Sequence, residues 1–246
     1  MDISVILPTH NEKENVSVLL WALDKVLKGK SAEVIVVDDG STDGTEKICK
    51  QIAPHLKIPI GVFARKEKHG LGNAYKKGVS HATGKYILIM DADLSHDPRE
   101  IPSMVEKMQE TDAGVVVGSR YIKDGGVCNW PLFRRLTSRG ANILAQAFTG
   151  KTVSDMTNSY RLYKSNVLRS ALNDVESEGF SFQMEVLFRC QSPVSEVPAK
   201  FYERNYGTSK LSPKEYLNFL ETGARILLTR AARAARSAIY AEDEIF

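Results

Sequence analysis

Two aspartates, Asp91 and Asp93, directly follow an apolar run that ends at Met90. Side chains at i and i+2 of an extended segment point to the same side, so the two carboxylates can aim at one point. A hard cation such as Mg²⁺ or Mn²⁺ is held in this way, by one or two carboxylates together with substrate phosphates and water. A turn in which each carboxylate accepts a backbone N–H explains an isolated pair equally well. The other polar clusters of the chain must decide between the two interpretations.

A second acidic cluster, Asp38 and Asp39 with Gly40, also follows an apolar run. Glycine lets the backbone approach a ligand closely, and a carboxylate placed there can accept hydrogen bonds from a ribose or a base. Asp43 is expected to cap the next helix. The segment 70–75 has two of the three glycines of a dinucleotide fingerprint and does not open the fold. It therefore favours a plain helix start, or one beside a phosphate, over an NAD site.

Short apolar runs alternate with helical patterns up to residue 120, which predicts an α/β fold with a mostly parallel central sheet flanked by helices. The predicted strands are 3–7, 33–37, 60–65, 85–90 and 114–117, with a further one at 194–202. Helices are predicted to begin near residues 11, 43, 72 and 98 and to span 131–148 and 213–238, the first opening with a capping box of Asn11 and Glu14. Ligands of such sheets bind at the carboxyl ends of the strands, where the polar clusters 8–12, 38–41 and 91–93 would meet.

Composition excludes several classes of protein. The chain has 246 residues, 43% of them hydrophobic, enough for a sizeable core, and has no apolar run long enough to cross a bilayer. A net charge of +3 is too small to indicate nucleic-acid binding. The 3 cysteines are widely spaced, with no histidine at ligand spacing, which argues against a disulfide framework and a zinc site. We predict a catalytic domain over 1–211, followed by an amphipathic, membrane-proximal helix and acidic tail over 212–246.

Segments along nearly the whole chain resemble the family 2 glycosyltransferases, and among them the polyprenyl-phosphate (dolichyl-phosphate) mannosyltransferases. They are, in order, LPTHNEKEN, VVDDGSTDGT, KHGLGNAYKKG, IMDADLSHDP, GSRY, WPLFRRLTSRGAN and ERNYGTSKL. The early segments are common to many glycosyltransferases, and those after Arg120 are specific to this group. The resemblance implies a GT-A fold and inverting transfer of mannose from GDP-mannose to dolichyl phosphate, for protein glycosylation and GPI-anchor synthesis.

The resemblance also implies roles for single residues. The nucleotide-sugar contacts would be Pro8, His10, Glu12, Val37, Asp39, Asp91, Ala92, Asp93, Arg120, Arg204 and Lys210. Asp91 and Asp93 would hold the Mg²⁺ or Mn²⁺, catalysis would rest on Asp93, Arg120, Arg204 and Lys210, and the lipid phosphate would meet Arg120, Arg134 and Ser138. Two positions depart from the family pattern. His10 stands in place of a tyrosine, so that an imidazole would stack on the guanine, and Asn158 stands in place of a glycine.

The implied chemistry suits these residue types. Departure of the nucleotide leaves negative charge on the diphosphate, which a divalent cation and nearby arginine or lysine side chains stabilise. A lipid phosphate with a second pKa of about 6 is already an anion at neutral pH, so it needs cations that position it rather than a general base. The stretch from Arg120 to Arg139 is rich in arginine. Asp155 and Glu185, the carboxylates available if a base were required, are expected to have structural or sugar-contact roles.

The last helix carries Arg225, Arg230, Arg233 and Arg236 among apolar residues, a pattern that suits either an anionic membrane surface or a solvated helix end. Together with the resemblance, it predicts a peripheral protein on the cytosolic face of the endoplasmic reticulum membrane. The lipid substrate or small membrane-anchoring subunits would hold it there. Two alternatives stay open: a polyprenyl-phosphate glucosyltransferase that uses UDP-glucose, and a non-catalytic nucleotide-sugar-binding subunit.

Overall fold

A seven-stranded sheet forms the centre of the molecule in the computed structural model, which describes residues 2–67, 70–204 and 213–243, with side chains up to residue 236. The strands in these residues are β1 (Ile3–Thr9), β2 (Ala32–Asp39), β3 (Ile60–Arg65), β4 (Tyr86–Ile89), β5 (Val115–Ser119), β6 (Gly126–Val127), β7 (Arg161–Lys164), β8 (Val194–Pro198) and β9 (Lys200–Phe201).

The strand order across the large sheet is β3-β2-β1-β4-β7-β5-β8, and β6 pairs with β9 in a separate ribbon. β1 runs parallel to β2 and β4, β2 runs parallel to β3, and β5 runs parallel to β8. Only β7 is antiparallel to its neighbours in this sheet, β4 and β5. The mostly parallel sheet predicted from the apolar runs is confirmed. The carboxyl ends of β1, β2 and β4 therefore lie side by side, each followed by one of the three polar clusters.

Helices cover both faces of the sheet. Those in the described residues are α1 (Lys13–Val26), α2 (Thr45–Ile52), α3 (Leu71–His81), α4 (Ile101–Thr111), α5 (Leu132–Thr149), α6 (Ser165–Leu172), α7 (Phe182–Arg189) and α8 (Pro213–Asp243). Alternate side chains of β1 enter two different cores. Val5 and Leu7 belong to the core that contains Leu19 of α1, whereas Ile6 belongs to the core that contains Tyr75 of α3. The two-residue repeat of the strand thus explains the three-layer arrangement.

The start of α1 differs from the predicted capping box of Asn11 and Glu14. α1 begins at Lys13 with no side-chain cap from its own N-cap residue, and Asn11 has a left-handed backbone, with φ 56°. Asp43 supplies the acceptor instead, because its carboxylate accepts the N–H of Lys13 at 3.0 Å and the N–H of Thr45 at 2.9 Å. One carboxylate therefore serves the first residues of both α1 and α2. The capping role predicted for Asp43 is confirmed, and the capping box is wrong.

Other elements also differ from the prediction. The single strand expected over 194–202 is two strands, since β8 ends at Pro198, which has no N–H to continue the ladder. β7 was not predicted, because its residues Arg161–Lys164 place a charged side chain at each end of a short apolar pair. Arg161 is nevertheless fully buried, and its guanidinium donates to the carbonyl oxygen of Met156 at 2.7 Å.

Two arginines of α8, Arg225 and Arg230, bind the body of the protein. Arg230 donates from Nη1 to the carbonyl oxygens of Ala147 at 2.9 Å and Phe148 at 3.0 Å, near the end of α5. Arg225 forms an ion pair with Glu185 at 3.0 Å. Carbonyl groups in the last turn of a helix lack partners within that helix, so a cation there is stabilising. Arg225 and Arg230 thus help to dock α8 on the body of the protein, and membrane contact by this helix stays a prediction.

Candidate functional site

Asp91 and Asp93 lie just beyond the end of β4. Asp91 accepts a long hydrogen bond from the hydroxyl of Tyr75, 3.4 Å from Oδ1, and makes no ion pair within the described residues. Burial raises the pKa of Asp91 above its ordinary value, and repulsion from Asp93 adds to the shift. The two carboxylates are therefore close enough for their charges to interact.

Asp93 is held more firmly than Asp91. Its Oδ1 accepts the N–H of Ser95 at 3.1 Å and the hydroxyl of Ser95 at 2.5 Å, and its Oδ2 lies 2.9 Å from Nη2 of Arg204. The turn interpretation of the motif thus accounts for the contacts of Oδ1. The contact of Oδ2 is an ion pair, and it brings Arg204, a predicted phosphate-binding residue, to the same turn. Lys210, the other predicted cation of this segment, lies outside the described residues.

The turn presents two carboxylates, those of Asp91 and Asp93, as candidate metal ligands. Within the part of the chain that the structure describes, no three or more His, Cys, Asp or Glu side chains form a group that could hold an ion. Such a small donor set does not fit a structural zinc or calcium site. It fits Mg²⁺ or Mn²⁺, which takes one or two carboxylates and completes its shell with phosphate oxygens and water.

The acidic residues at the end of β2 divide into different tasks. Asp38 accepts the hydroxyl of Thr9 at 2.9 Å and ties β2 to β1. Asp39, predicted to contact the nucleotide, forms an ion pair with Arg65 at 2.7 Å on Oδ1 and accepts the N–H of Gly70 at 3.1 Å on Oδ2. A ligand at Asp39 would therefore meet a carboxylate that is already oriented by the two flanking segments.

The predicted contacts on β1 and β2 fall partly on the surface and partly inside. His10 is partly exposed, and its Nδ1 donates to the backbone oxygen of Asp39 at 2.9 Å. Glu12 is 6% exposed. Pro8 is buried, and Val37 is fully buried in the core. The structure therefore brings His10, Glu12 and Asp39 together at the end of the sheet and places Val37 behind them.

Arg120 follows β5 and is bound to Asp155 through two of its three guanidinium nitrogens. Nε lies 2.7 Å from Oδ2 and Nη2 lies 2.7 Å from Oδ1, while Nη2 also donates to the Thr157 hydroxyl at 2.8 Å. Burial raises the pKa of Asp155, but the charge of Arg120 and its hydrogen bonds outweigh burial and hold the pKa below its ordinary value. Nη1 of Arg120 has no hydrogen bond within the described residues, and is the arm left for a ligand.

Arg134, in the first turn of α5, stacks on Trp130 with its guanidinium carbon 4.0 Å from the ring centroid. Burial lowers the pKa of Arg134, and the nearby charges of Arg204 and Arg120 lower it further, against an opposite effect of Glu203. Three arginines from separate parts of the chain thus lie within electrostatic range of one another. Like charges gathered in this way are stabilised by an anion.

Ser138, the remaining residue predicted to meet the lipid phosphate, lies one turn further along α5. Its hydroxyl accepts a hydrogen bond from the hydroxyl of Tyr121 at 2.6 Å. Arg120 and Arg139 both lie near the ring of that tyrosine, with guanidinium carbons 5.4 Å and 5.8 Å from its centroid. Ser138 therefore borders the arginine cluster.

The sequence matches a known protein family over more than half of its length. Residues 4–172 match the model of the glycosyl transferase family 2. The chain belongs to that family. The matched stretch contains the ends of β1, β2 and β4, both aspartates of the turn and the Arg120–Asp155 pair.

Two curated relatives of this glycosyltransferase cover most of its length. A "Dolichol-phosphate mannosyltransferase" of Pyrococcus furiosus is 35% identical over 92% of the chain, which spans 64% of that protein. A "Polyprenol monophosphomannose synthase" of Mycolicibacterium smegmatis is 35% identical over 94% of the chain and 91% of its own length. The chain thus spans somewhat less than two thirds of the Pyrococcus protein and nearly all of the mycobacterial one.

Among solved structures, the glycosyltransferase is similar to glucosyl-3-phosphoglycerate synthase from Mycobacterium tuberculosis in complex with Mn²⁺, UDP-glucose and phosphoglyceric acid. The TM-score is 0.66 at 18% identity, over 94% of this chain and 80% of the other. This similarity concerns the fold alone, and it confirms the predicted GT-A architecture.

Sequence reasoning missed several residues that contact the aspartate turn or its support, among them Tyr75, His96 and Asn158. The sequence predicts only a helix start at Tyr75 and a departure from the family pattern at Asn158, and it predicts no role for His96. In the structure Tyr75 reaches Asp91, His96 accepts the N–H of Asp91 at 3.1 Å, and Asn158 bonds to His96 at 3.0 Å. The position of His96 three residues after Asp93 was the one signal available in the sequence.

Proposed function

We propose that the protein transfers mannose from GDP-mannose to dolichyl phosphate, or to a related polyprenyl phosphate, with inversion at the sugar carbon and release of GDP. One observation carries the proposal: carboxylates and guanidinium groups meet at one end of the sheet. The charge of Asp93 acts on the pKa of Arg134, and the charge of Asp91 acts on the pKa of Arg120. A site for an anionic donor with its metal therefore adjoins a site for a second anion.

On the donor side, Asp91 and Asp93 would hold Mg²⁺ or Mn²⁺ against the diphosphate. The cation supplies electrostatic stabilisation of the charge that develops on the departing nucleotide. Arg204 and Lys210 would contact the same diphosphate, Arg204 by exchanging its contact with Asp93 for one with a phosphate oxygen. His10, Glu12 and Asp39 would line the nucleoside end, since they surround the carboxyl ends of β1 and β2.

The acceptor itself would be the nucleophile. Its phosphate is largely deprotonated at neutral pH, so no protein base has to remove a proton. The state of the available carboxylates agrees with this. Asp155 is 0% exposed and has its pKa held low within the Arg120 pair, and Glu185 is 0% exposed and bonded to Ser177 and Arg225. Neither is free to act as a general base.

On the acceptor side, Arg134, Nη1 of Arg120 and Ser138 would bind the lipid phosphate. Guanidinium groups suit this task because their planar donors match phosphate oxygens. The stacking of Arg134 on Trp130 fixes the direction of its side chain, which lowers the entropy cost of binding. Glu203 lies 3.9 Å from Arg134 across an exposed pair, a weak partner that a phosphate can replace.

The lipid chain would leave the site along α5. The helix exposes a stripe of large apolar side chains beside Arg134: Leu132 at 70%, Phe133 at 81%, Leu136 at 60% and Ile143 at 65%. Such a stripe flanked by arginines suits the interface of an anionic membrane. No helix in the described residues is both long and apolar enough to cross a bilayer. On the evidence of the exposed apolar stripe, we propose that α5 contacts the membrane surface from one side.

The chemistry of the donor and the origin of the relatives support a proposal for the compartment. The two relatives named above come from an archaeon and a bacterium, neither of which has an endoplasmic reticulum. GDP-mannose is charged and water-soluble, so the donor has to reach the site from water. We propose the cytosolic face of whichever membrane holds the polyprenyl phosphate, the endoplasmic reticulum being the eukaryotic case.

The test is transfer of radiolabelled mannose by the purified chain in the presence of Mg²⁺ or Mn²⁺. We expect mannolipid from GDP-mannose and dolichyl phosphate, and loss of the product with Asp93→Ala. Asp112→Ala serves as the matched control. Asp112 precedes β5, away from the carboxyl ends of the strands, and its side chain is 95% exposed and has no role in the site. Thermal unfolding of both variants checks that they fold.

Three outcomes would contradict the proposal. Undiminished transfer in excess chelator would remove the metal from the mechanism. Transfer from UDP-glucose in preference to GDP-mannose would make the protein a glucosyltransferase. Donor binding without transfer to any polyprenyl phosphate would make it a nucleotide-sugar-binding subunit.

A further inference from the structure

His96 lies directly behind the aspartate turn. It is 2% exposed, and its Nδ1 is 3.1 Å from the backbone nitrogen of Asp91. A backbone N–H can only donate, so Nδ1 of His96 must be the acceptor and carries no proton. The imidazole therefore holds the backbone of a proposed metal-binding residue.

Asn158 determines which nitrogen of His96 carries the proton. The Nδ2 group of Asn158 donates to the backbone oxygen of Gly118 at 2.6 Å, which turns its Oδ1 toward His96. That Oδ1 is 3.0 Å from Nε2 of His96 and accepts a hydrogen bond from the Nε2–H group. A continuous chain of hydrogen bonds thus runs from the carbonyl of Gly118 in β5, through Asn158 and His96, to the amide of Asp91.

Asn158 also reaches the acceptor side of the site. Its backbone N–H donates to Oδ1 of Asp155 at 3.1 Å, and Asp155 is the partner of Arg120. Asn158 is 3% exposed. One buried residue is therefore bonded both to the support of Asp91 and to the support of Arg120.

Packing alone does not account for this arrangement. The ring of His96 stacks on Tyr160, with centroids 4.8 Å apart and an 11° angle, and meets Phe201 edge-on at 5.3 Å. An apolar aromatic ring would satisfy those contacts as well. It would leave the N–H of Asp91 and the Oδ1 of Asn158 buried without partners, which is costly.

We propose that His96 and Asn158 are positioning residues for the metal-binding turn. Asn158 fixes His96 as the Nε2–H tautomer, and Nδ1 then fixes the backbone of Asp91, so that the carboxylate is oriented before the metal arrives. The proposal rests on the proposed function, in which Asp91 and Asp93 bind the cation. Outer-shell hydrogen bonds of this kind orient metal ligands, and their loss costs about 10–100-fold in metal affinity.

Two substitutions of His96 distinguish the role of its Nδ1 from the role of its Nε2. His96→Asn keeps an oxygen near the position of Nδ1 that can accept the N–H of Asp91, and loses the bond to Asn158. His96→Gln keeps an amide group near Nε2 and loses the acceptor for Asp91. Both remove the same ring, so they share any loss of aromatic packing. We expect His96→Gln to raise the Kd of Mn²⁺ in the presence of GDP about 10–100-fold, and His96→Asn to retain most of the affinity.

The Mn²⁺ affinities come from electron paramagnetic resonance of free Mn²⁺ titrated against protein and GDP. Thermal unfolding of each variant measures the shared packing loss. Equal loss of affinity in the two variants would overturn the proposal and leave His96 a packing residue. Asn158→Ala provides the second test, with an increased Kd for Mn²⁺ expected although Asn158 itself lies behind His96.

A measurement without metal distinguishes failure of this proposal from failure of the proposed function. Long-range ¹H–¹⁵N spectra of histidine-labelled protein, with the His96 signals assigned by their loss in His96→Asn, show directly which nitrogen is protonated. We expect the Nε2–H tautomer in the wild type and a mixture of tautomers in Asn158→Ala. An Nδ1–H tautomer in the wild type would overturn the proposal. If the wild type shows the Nε2–H tautomer but binds no Mn²⁺, the proposed function fails and the hydrogen-bonded chain stands only as a structural feature.

Discussion

The buried pair of Arg120 and Asp155 allows a quantitative test of the structure. The pair is bidentate, the Arg120 side chain is 6% exposed and the Asp155 side chain is 0% exposed. The carboxylate of Asp155 also accepts the backbone N–H groups of Arg120 at 3.0 Å and Asn158 at 3.1 Å. Asp155→Asn preserves the shape of the side chain, removes its charge and turns an amide group toward donors that need an acceptor.

The expected cost is large because the arginine stays behind. Removing one partner of a buried ion pair leaves an uncompensated charge, which costs about 3–5 kcal/mol. Total stability for a domain is typically about 5–15 kcal/mol, so this is a substantial part of it. In a chain of this size, about 1 kcal/mol corresponds to roughly 2–4 °C in Tm, so we expect a decrease of about 6–20 °C.

The assay is chemical unfolding of wild type and Asp155→Asn, repeated as a function of pH. The folded-state pKa of Asp155 is lowered from its ordinary value of 3.8, so the stability it contributes is present above that value. It is lost as the pH falls through the folded-state pKa. The difference in free energy of unfolding between the two proteins should therefore be constant near neutral pH and decrease in acid.

Asp112→Asn is the control for this experiment. Asp112, like Asp155, forms an ion pair, in its case with Lys164, but the side chain of Asp112 is 95% exposed. Water and salt screen such a pair, so we expect little change in stability. If the two substitutions destabilised the protein equally, or if the effect of Asp155→Asn did not depend on pH in acid, burial of the Arg120 pair would not be the source of its stability.

Two further predictions concern the acceptor phosphate and the membrane contact. Arg134→Ala should raise the KM for dolichyl phosphate at least about tenfold, since a hydrogen bond to a charged group contributes roughly 1.5–3 kcal/mol, and should leave the KM for GDP-mannose unchanged. Arg135→Ala, on the exposed side of the same turn, is its control, and an equal effect of both would remove Arg134 from the acceptor site. Phe133→Glu should weaken sedimentation with vesicles of anionic lipid, whereas Trp21→Glu, an exposed aromatic residue on α1, should not. Similar vesicle binding by both variants and the wild type would argue against membrane contact through α5.

β1 to β5 could be predicted because each is a short apolar run that ends at a polar cluster. Ile3–Thr9 and Ile60–Arg65 follow this pattern, and both lie in the sheet where the prediction put them. β7 could not be predicted in the same way. Its side chains include Arg161, whose burial depends on carbonyl groups of Met156 and Gln183 that belong to other segments. Local sequence carries no information about such partners.

The capping of α1 illustrates the same limit. The spacing of Asn11 and Glu14 favours a capping box, and the rule is sound for an isolated helix. Here Asp43, 30 residues away, reaches the N–H of Lys13. The polar residues after β1 and β2 are near one another only because the strands are parallel neighbours. A residue that is a good cap for its own helix can therefore be replaced by one from the adjacent loop.

The three acidic clusters at the end of the sheet look alike in sequence, and their partners distinguish them. Asp38 ties two strands together, Asp43 serves two helices and Asp39 is paired with Arg65, so each of these carboxylates is already engaged by the fold. Asp91 accepts a long bond from the neutral hydroxyl of Tyr75, and its pKa is raised by burial and by repulsion from Asp93. A carboxylate in that state is stabilised by an additional cation, whereas the others have less to gain from one. Topology brings the clusters to one place, and the weak partner of Asp91 within that place supports the proposal that Asp91, with Asp93 two residues on, holds the metal.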